Sequence, residues 1–144
     1  MLLNADNLIF TAERLDMPGA WQMPQGGVDN GEDLQTAALR ELEEEISVRA
    51  AGVNILAHTN NWITYDLPGH LLGKVWGGKY KGQKQKWFLM RLTAPETTIN
   101  LATKHPEFGR WKWSRRDDLL QEIVPFKKHV YSQILAELFP DKSA

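Results

Sequence analysis

An α+β domain is what this sequence predicts, and three observations predict it: short apolar segments of strand length, a loop rich in glycine and proline that runs into an acidic helix, and a C-terminal helix with one apolar stripe. The order strand, loop, helix, strands, helix implies a mixed β-sheet sandwiched between α-helices. At 144 residues the chain has the size of one compact domain, so a single unit over 1–144 is expected.

Residues 8–11 read as a strand, and the Asn and Asp content of 4–7 reads as a turn, which makes 1–3 the end of a hairpin partner. Three residues are few against the usual five or six, so this first strand is expected to be clipped. Residues 17–31 hold two prolines and four glycines and form a loop. Glu32 opens a helical stretch to about Ile46, with Gly52 beyond its end. Residues 53–65 mix strand and loop, and a long connection rich in Gly and Lys follows through Gly82. Residues 86–92 and 109–113 are further strands. Ser114 is placed to cap a short helix through Leu120 and Gln121. Pro125 opens the last helix, in which Phe126, Val130, Ile134 and Leu138 recur every four residues, with Tyr131 and Leu135 beside them, up to Pro140.

Composition excludes several functions. The 17 basic and 18 acidic residues leave no global field to draw the chain to nucleic acid or membrane, so anion binding must come from local patches. The absence of cysteine removes disulfides, thiolate catalysis and cysteine zinc sites. None of His58, His70, His105 and His129 has metal-ligand spacing, and structural or exposed roles are expected for them. The first residues lack the pattern of a signal peptide, and no apolar run approaches the roughly 20 residues of a membrane span, so a cytoplasmic location without membrane contact is expected. Nothing in the sequence specifies a protein partner.

The acidic helix carries the chemistry. At about 100° per residue, Glu41, Glu44 and Glu45 share an arc of roughly 100°, while Ala38, Leu39, Leu42 and Ile46 occupy the adjoining arc. Such like charges repel, which serves no purely structural helix; a bare acidic run would otherwise be a solvated face. Clustered hard oxygen ligands suit magnesium or manganese, which bind through carboxylates, waters and substrate phosphates.

The run 26–48 resembles the Nudix box, G-x5-E-x7-R-E-U-x-E-E-x-G-U with U a bulky aliphatic residue: Gly26, Glu32, Arg40, Glu41, Leu42, Glu44, Glu45 and Val48 all match. Ser47 departs from it, standing where the family has glycine, and costs stability if the turn needs a positive φ. Outside the box, Trp21 to Val28, Tyr65 to Pro68, Gly82 to Leu89, Glu107-Phe108 with Trp111 and Trp113, and Phe126 to Tyr131 are similar to the bacterial RNA pyrophosphohydrolases and the related plant-type diadenosine polyphosphate hydrolases.

That resemblance implies a Nudix fold with the box forming loop, helix and loop. It also implies hydrolysis of phosphoanhydride bonds under two or more Mg2+ or Mn2+ ions. The expected substrate is 5′-triphosphorylated RNA, with dinucleoside polyphosphates as the alternative and a non-catalytic nucleotide-binding module as the remote one. It assigns Glu41, Glu44, Glu45 and the Gly26 carbonyl to metal, Arg40 to orienting a carboxylate, and Glu107 to a further ligand or general base. Arg14, Lys84, Lys86 and Lys127 become candidate phosphate contacts, with Lys79 and Lys81 near them. Tyr65 and Phe126 become candidates for stacking on a base. On residue type alone Glu107 is a surface acid, the lysines a solvated strand face, and Phe126 the start of the apolar stripe. Trp21, Trp87, Trp111 and Trp113 are assigned to the core or the site wall.

Overall fold

The computed structural model describes residues 1–66 and 82–139. Their elements are β1 (Leu2–Leu3), β2 (Ile9–Arg14), β3 (Trp21–Gln22), α1 (Leu34–Ile46), β4 (Val53–His58), β5 (Ile63–Asp66), β6 (Gly82–Gln85), β7 (Phe88–Leu92), β8 (Phe108–Ser114), α2 (Arg116–Glu122) and α3 (Lys128–Leu138). The sheet runs β3-β2-β1-β7-β4, with β8 on the other edge of β2, and β5 and β6 form a separate hairpin. It is mixed, because β1 lies antiparallel to β2 but parallel to β7. The expected hairpin between β1 and β2 is present, with Leu3 opposite Ile9. Met1 adds to the parallel pairing by donating its amino N–H to the Phe88 carbonyl at 2.7 Å.

Alternation along the strands divides the core in two, since successive side chains leave opposite faces of a sheet. Leu3, Ile9 and Leu89 pack with Leu119, Val130, Tyr131, Ile134 and Leu135 of α2 and α3. Their neighbours Leu2, Phe10 and Met90 pack with Leu42 and Ile46 of α1. The sheet is therefore covered by helices on both faces, as the sequence predicts. The stripe expected on α3 is buried from Val130 to Leu138, while Phe126 is only partly buried against the same cluster.

Three helix starts differ from expectation, one of them that of α3, which begins at Lys128 after a separate 3-10 turn over Pro125–Lys127. α1 begins at Leu34, not Glu32, because the Asp33 carboxylate accepts the Thr36 N–H at 3.1 Å and caps the helix, leaving Glu32 in the loop before it. Ser114 does not cap α2: it ends β8, where its hydroxyl meets that of Thr11 at 2.7 Å in the core, and Arg115 takes the cap position without a side-chain bond. At the far end of α1, Ser47 has φ of 68°, the left-handed conformation that glycine adopts freely. Its Oγ donates to the Asn100 carbonyl at 2.9 Å, and the Asn100 N–H donates to the Ile46 carbonyl at 3.0 Å, so the serine gains an anchor a glycine lacks. Among the described residues no helix is long and apolar enough to cross a membrane.

Candidate active site

Three connections hold the loop before α1 against the sheet and helices. The Met23 N–H donates to the Tyr131 hydroxyl of α3 at 3.0 Å, which fixes the start of the loop. Arg40 then clamps its middle: Nη2 donates to the Gly27 carbonyl at 2.9 Å, while Nε and Nη2 form a fork on Glu32 at 2.8 and 2.9 Å. The remaining nitrogen, Nη1, reaches Glu41 at 2.9 Å and Glu44 at 3.1 Å. Arg40 thus orients two of the expected ligands rather than one. Its guanidinium, with the Asp29 N–H second, holds Glu32 down to about 2. Gly26 lies beneath this group, and a Cβ there would overlap the Glu41 carboxyl that Arg40 pins. Glycine at this position is what lets carboxylate and backbone approach.

Glu45 is different. It is 4% exposed, and neither carboxyl oxygen completes a hydrogen bond, although the Glu107 carboxyl and the Gln25 N–H lie close to it. Burial, then the charges of Glu107 and Glu41, pushes Glu45 up to about 9. Burial also raises Glu41, against the opposing pull of Arg40. An orphaned carboxyl facing two others in a buried corner fits a divalent cation, which would supply the missing charge and coordinate the oxygens. Among the described residues no three acids stand at ligand spacing around one point, and Glu44, 57% exposed, turns toward Arg40.

Two hollows flank this cluster and meet at Gln25. A groove of about 740 Å3 is lined by Gly26, Gly27, Glu41, Trp62, Lys84, Lys86 and Trp87 among others. A cleft of about 410 Å3 is lined by Arg14, Asp16, Gln22, Glu107 and Lys127. The structure therefore gathers Glu41 with Lys84 and Lys86 on one side, and Glu107 with Arg14 and Lys127 on the other. In the cleft Arg14 is engaged by Asp16 through a fork at 2.8 and 2.7 Å. Burial, then the charge of Arg14, lowers Lys127 to about 8. Phe126 lines neither hollow, though the Lys127 ammonium lies 5.9 Å from its ring centre. Tyr65 has its backbone in β5; its side chain, with Lys79, Lys81 and His70, lies outside the described residues.

The box spacing, the Arg40 clamp and the glycine beneath Glu41 coincide with a match of residues 1–134 to the model of the NUDIX domain. The chain belongs to the NUDIX domain family. This NUDIX domain is 56% identical over 138 residues to a protein of Rhodospirillum rubrum described as an RNA pyrophosphohydrolase, covering 96% of this chain and 82% of that one. A protein of Roseobacter denitrificans with the same description is 50% identical over 136 residues, covering 94% and 85%. Among solved structures, the NUDIX domain resembles the E. coli dihydroneopterin triphosphate pyrophosphohydrolase, with TM-score 0.68, 20% identity and coverage of 92% and 88%. It also resembles a C. elegans Ap4A hydrolase, with TM-score 0.64, 20% identity and coverage of 94% and 92%. These likenesses establish the fold.

Two site residues escaped the sequence reading. Gln25, which joins the two hollows, lies within the run Trp21 to Val28 that carries the resemblance, but its residue type alone assigns it no role. Trp62 lines the groove between an Asn-rich turn and a strand, and its signal, an aromatic beside Asn60 and Asn61, is faint.

Proposed function

We propose that this NUDIX domain hydrolyses a phosphoanhydride bond at the 5′ end of triphosphorylated RNA, releasing pyrophosphate and leaving a 5′-monophosphate. Near-full-length identity of 56% to a protein described as an RNA pyrophosphohydrolase carries this reading, and the gathered acids support it. Water adds to phosphorus, one P–O–P bridge breaks, and the proton of the water passes to a carboxylate.

Glu41, Glu44, Glu45, Glu107 and the Gly26 carbonyl are the residues that would hold Mg2+ or Mn2+. When bound, such ions neutralise phosphate charge, polarise the phosphorus and lower the pKa of a bound water. The chain's own residues do the rest. Arg40 sets the direction of Glu41 and Glu44. Arg14 exchanges Asp16 for a substrate phosphate, with Lys127 beside it, and Lys84 and Lys86 neutralise phosphate on the groove side. Glu107, exposed at the mouth of the cleft and near Glu45, serves as further ligand or as base.

The test is to incubate the protein with magnesium and either 5′-triphosphorylated RNA or diadenosine tetraphosphate at matched concentrations. Faster release of pyrophosphate from RNA is expected, with full loss of turnover in excess chelator. Preference for the dinucleotide, or hydrolysis at verified negligible metal, overturns the reading.

A further inference from the structure

The groove side of the site contains an aromatic that no part of the reaction above uses. Trp62 is 46% exposed, whereas Trp87 and Met90, which line the same groove, are buried. The Lys84 ammonium lies 4.9 Å and the Lys86 ammonium 5.4 Å from its ring centre. The turn that carries it is pinned from several sides. The Thr59 hydroxyl accepts the Trp87 N–H at 3.0 Å, the Asn60 N–H donates to Glu137 at 2.7 Å, and Lys86 donates to the Asn60 carbonyl at 2.6 Å. Trp62, Lys84 and Lys86 line the same groove as Gly26 and Glu41.

A pre-positioned aromatic flanked by cations is the combination that holds single-stranded nucleic acid: the ring takes a base face and the ammoniums follow the backbone. The chemistry differs from one hollow to the other. The cleft offers Arg14 and Lys127 but no exposed tryptophan, which suits the anionic polyphosphate end, whereas the groove offers an aromatic face and two lysines. We propose that Trp62, Lys84 and Lys86 form a subsite for the RNA strand leading away from its 5′ polyphosphate, Trp62 stacking on a base and the lysines contacting the adjoining phosphates. This rests on the RNA reading above and specifies which surface distinguishes RNA from a mononucleotide.

The test compares Trp62→Leu and Trp62→Phe with wild type, each checked for melting temperature, on a 5′-triphosphorylated tetranucleotide and on a nucleoside triphosphate. Trp62→Leu should raise KM for the tetranucleotide roughly 5- to 150-fold more than for the nucleoside triphosphate, with Trp62→Phe recovering part of the difference. A KM shift equal on both substrates, or none on RNA, overturns the subsite. Binding of a labelled 5′-monophosphorylated tetranucleotide separates this from failure of the catalytic reading. If wild type does not hydrolyse the RNA, weaker binding by Trp62→Leu still supports the subsite and unchanged binding rejects it. Lys84→Ala should lower the slope of log affinity against log salt by about 0.7, the value for one single-strand phosphate contact; an unchanged slope removes Lys84 from the backbone track.

Discussion

Glu44 and Glu45 are adjacent on one helix, identical in chemistry, and opposite in circumstance. Glu44 is exposed and bonded to an arginine that also holds Glu32, Glu41 and the Gly27 carbonyl. Glu45 is buried, its oxygens are unpartnered, and its neighbours are other acids. On the Arg40 side each carboxylate has a hydrogen-bond partner within the fold, the one guanidinium being shared by Glu32, Glu41 and Glu44. The Glu45 side leaves a buried carboxyl without a partner, the place where the proposed function puts a cation. A fold retains an uncompensated buried carboxyl at a cost in stability, and such groups concentrate at functional sites.

The strongest test of this contrast is to neutralise each acid in turn. Glu45→Gln and Glu44→Gln should each lower kcat by at least about a hundredfold if both hold metal. Only Glu45→Gln should raise the metal-free melting temperature at neutral pH, because only Glu45 is buried without compensation. Wild type should also gain more from added Mg2+ than Glu45→Gln does. A lower melting temperature for metal-free Glu45→Gln would show that the carboxyl is already satisfied within the fold.

Arg40→Lys probes the other side. Lysine keeps the charge but cannot fork onto Glu32 while reaching Glu41, so activity or metal affinity should fall about 10- to 100-fold, the usual loss when a ligand's orienting partner is removed. Titrating activity against Mg2+ checks this. An unaltered titration would mean that Glu41 and Glu44 hold their positions without the clamp.

Lys127 gives a smaller, pH-dependent effect. Its folded value of about 8 lies below the ordinary 10.5, so it loses its charge early. Between about 8 and 10.5 the unfolded chain binds the extra proton, and this group's contribution to stability therefore rises with pH across that window. Phosphate binding needs the charged form, so KM for triphosphorylated RNA should climb above pH 8 and the climb should flatten in Lys127→Met. The same climb in that variant would assign it to another group.

The smallest effect belongs to Ser47. Ser47→Gly relieves the positive φ but loses the Asn100 bond, two terms of about 1 kcal/mol each, so stability should change by less than about 0.5 kcal/mol. Ser47→Ala keeps the strain and loses the bond, and should cost about 1 kcal/mol by denaturant unfolding. Equal stability of Ser47→Ala and wild type would show that the Asn100 contact contributes nothing.

The sequence by itself determined the sheet between helices, the acidic face of α1 and the departure of Ser47 from the box glycine, while the structure supplied its positive φ. Each is a local matter: strand alternation, helical periodicity and a box spacing are written in consecutive residues. Tertiary structure decided what happens between distant segments. The spacing of Glu41, Glu44 and Glu45 does not distinguish the one that Arg40 compensates at the surface from the one the core leaves unpartnered, because burial depends on what packs over the helix. Nor does it place Glu107 beside Glu45, which needs α1 packed against the sheet, or bring Trp62 under Lys84 and Lys86, which needs the pairing of β5 with β6. Helix boundaries at Asp33 and Arg115 were likewise settled by competition: one carboxylate found a free N–H, while the serine expected to cap α2 found a better partner in the core.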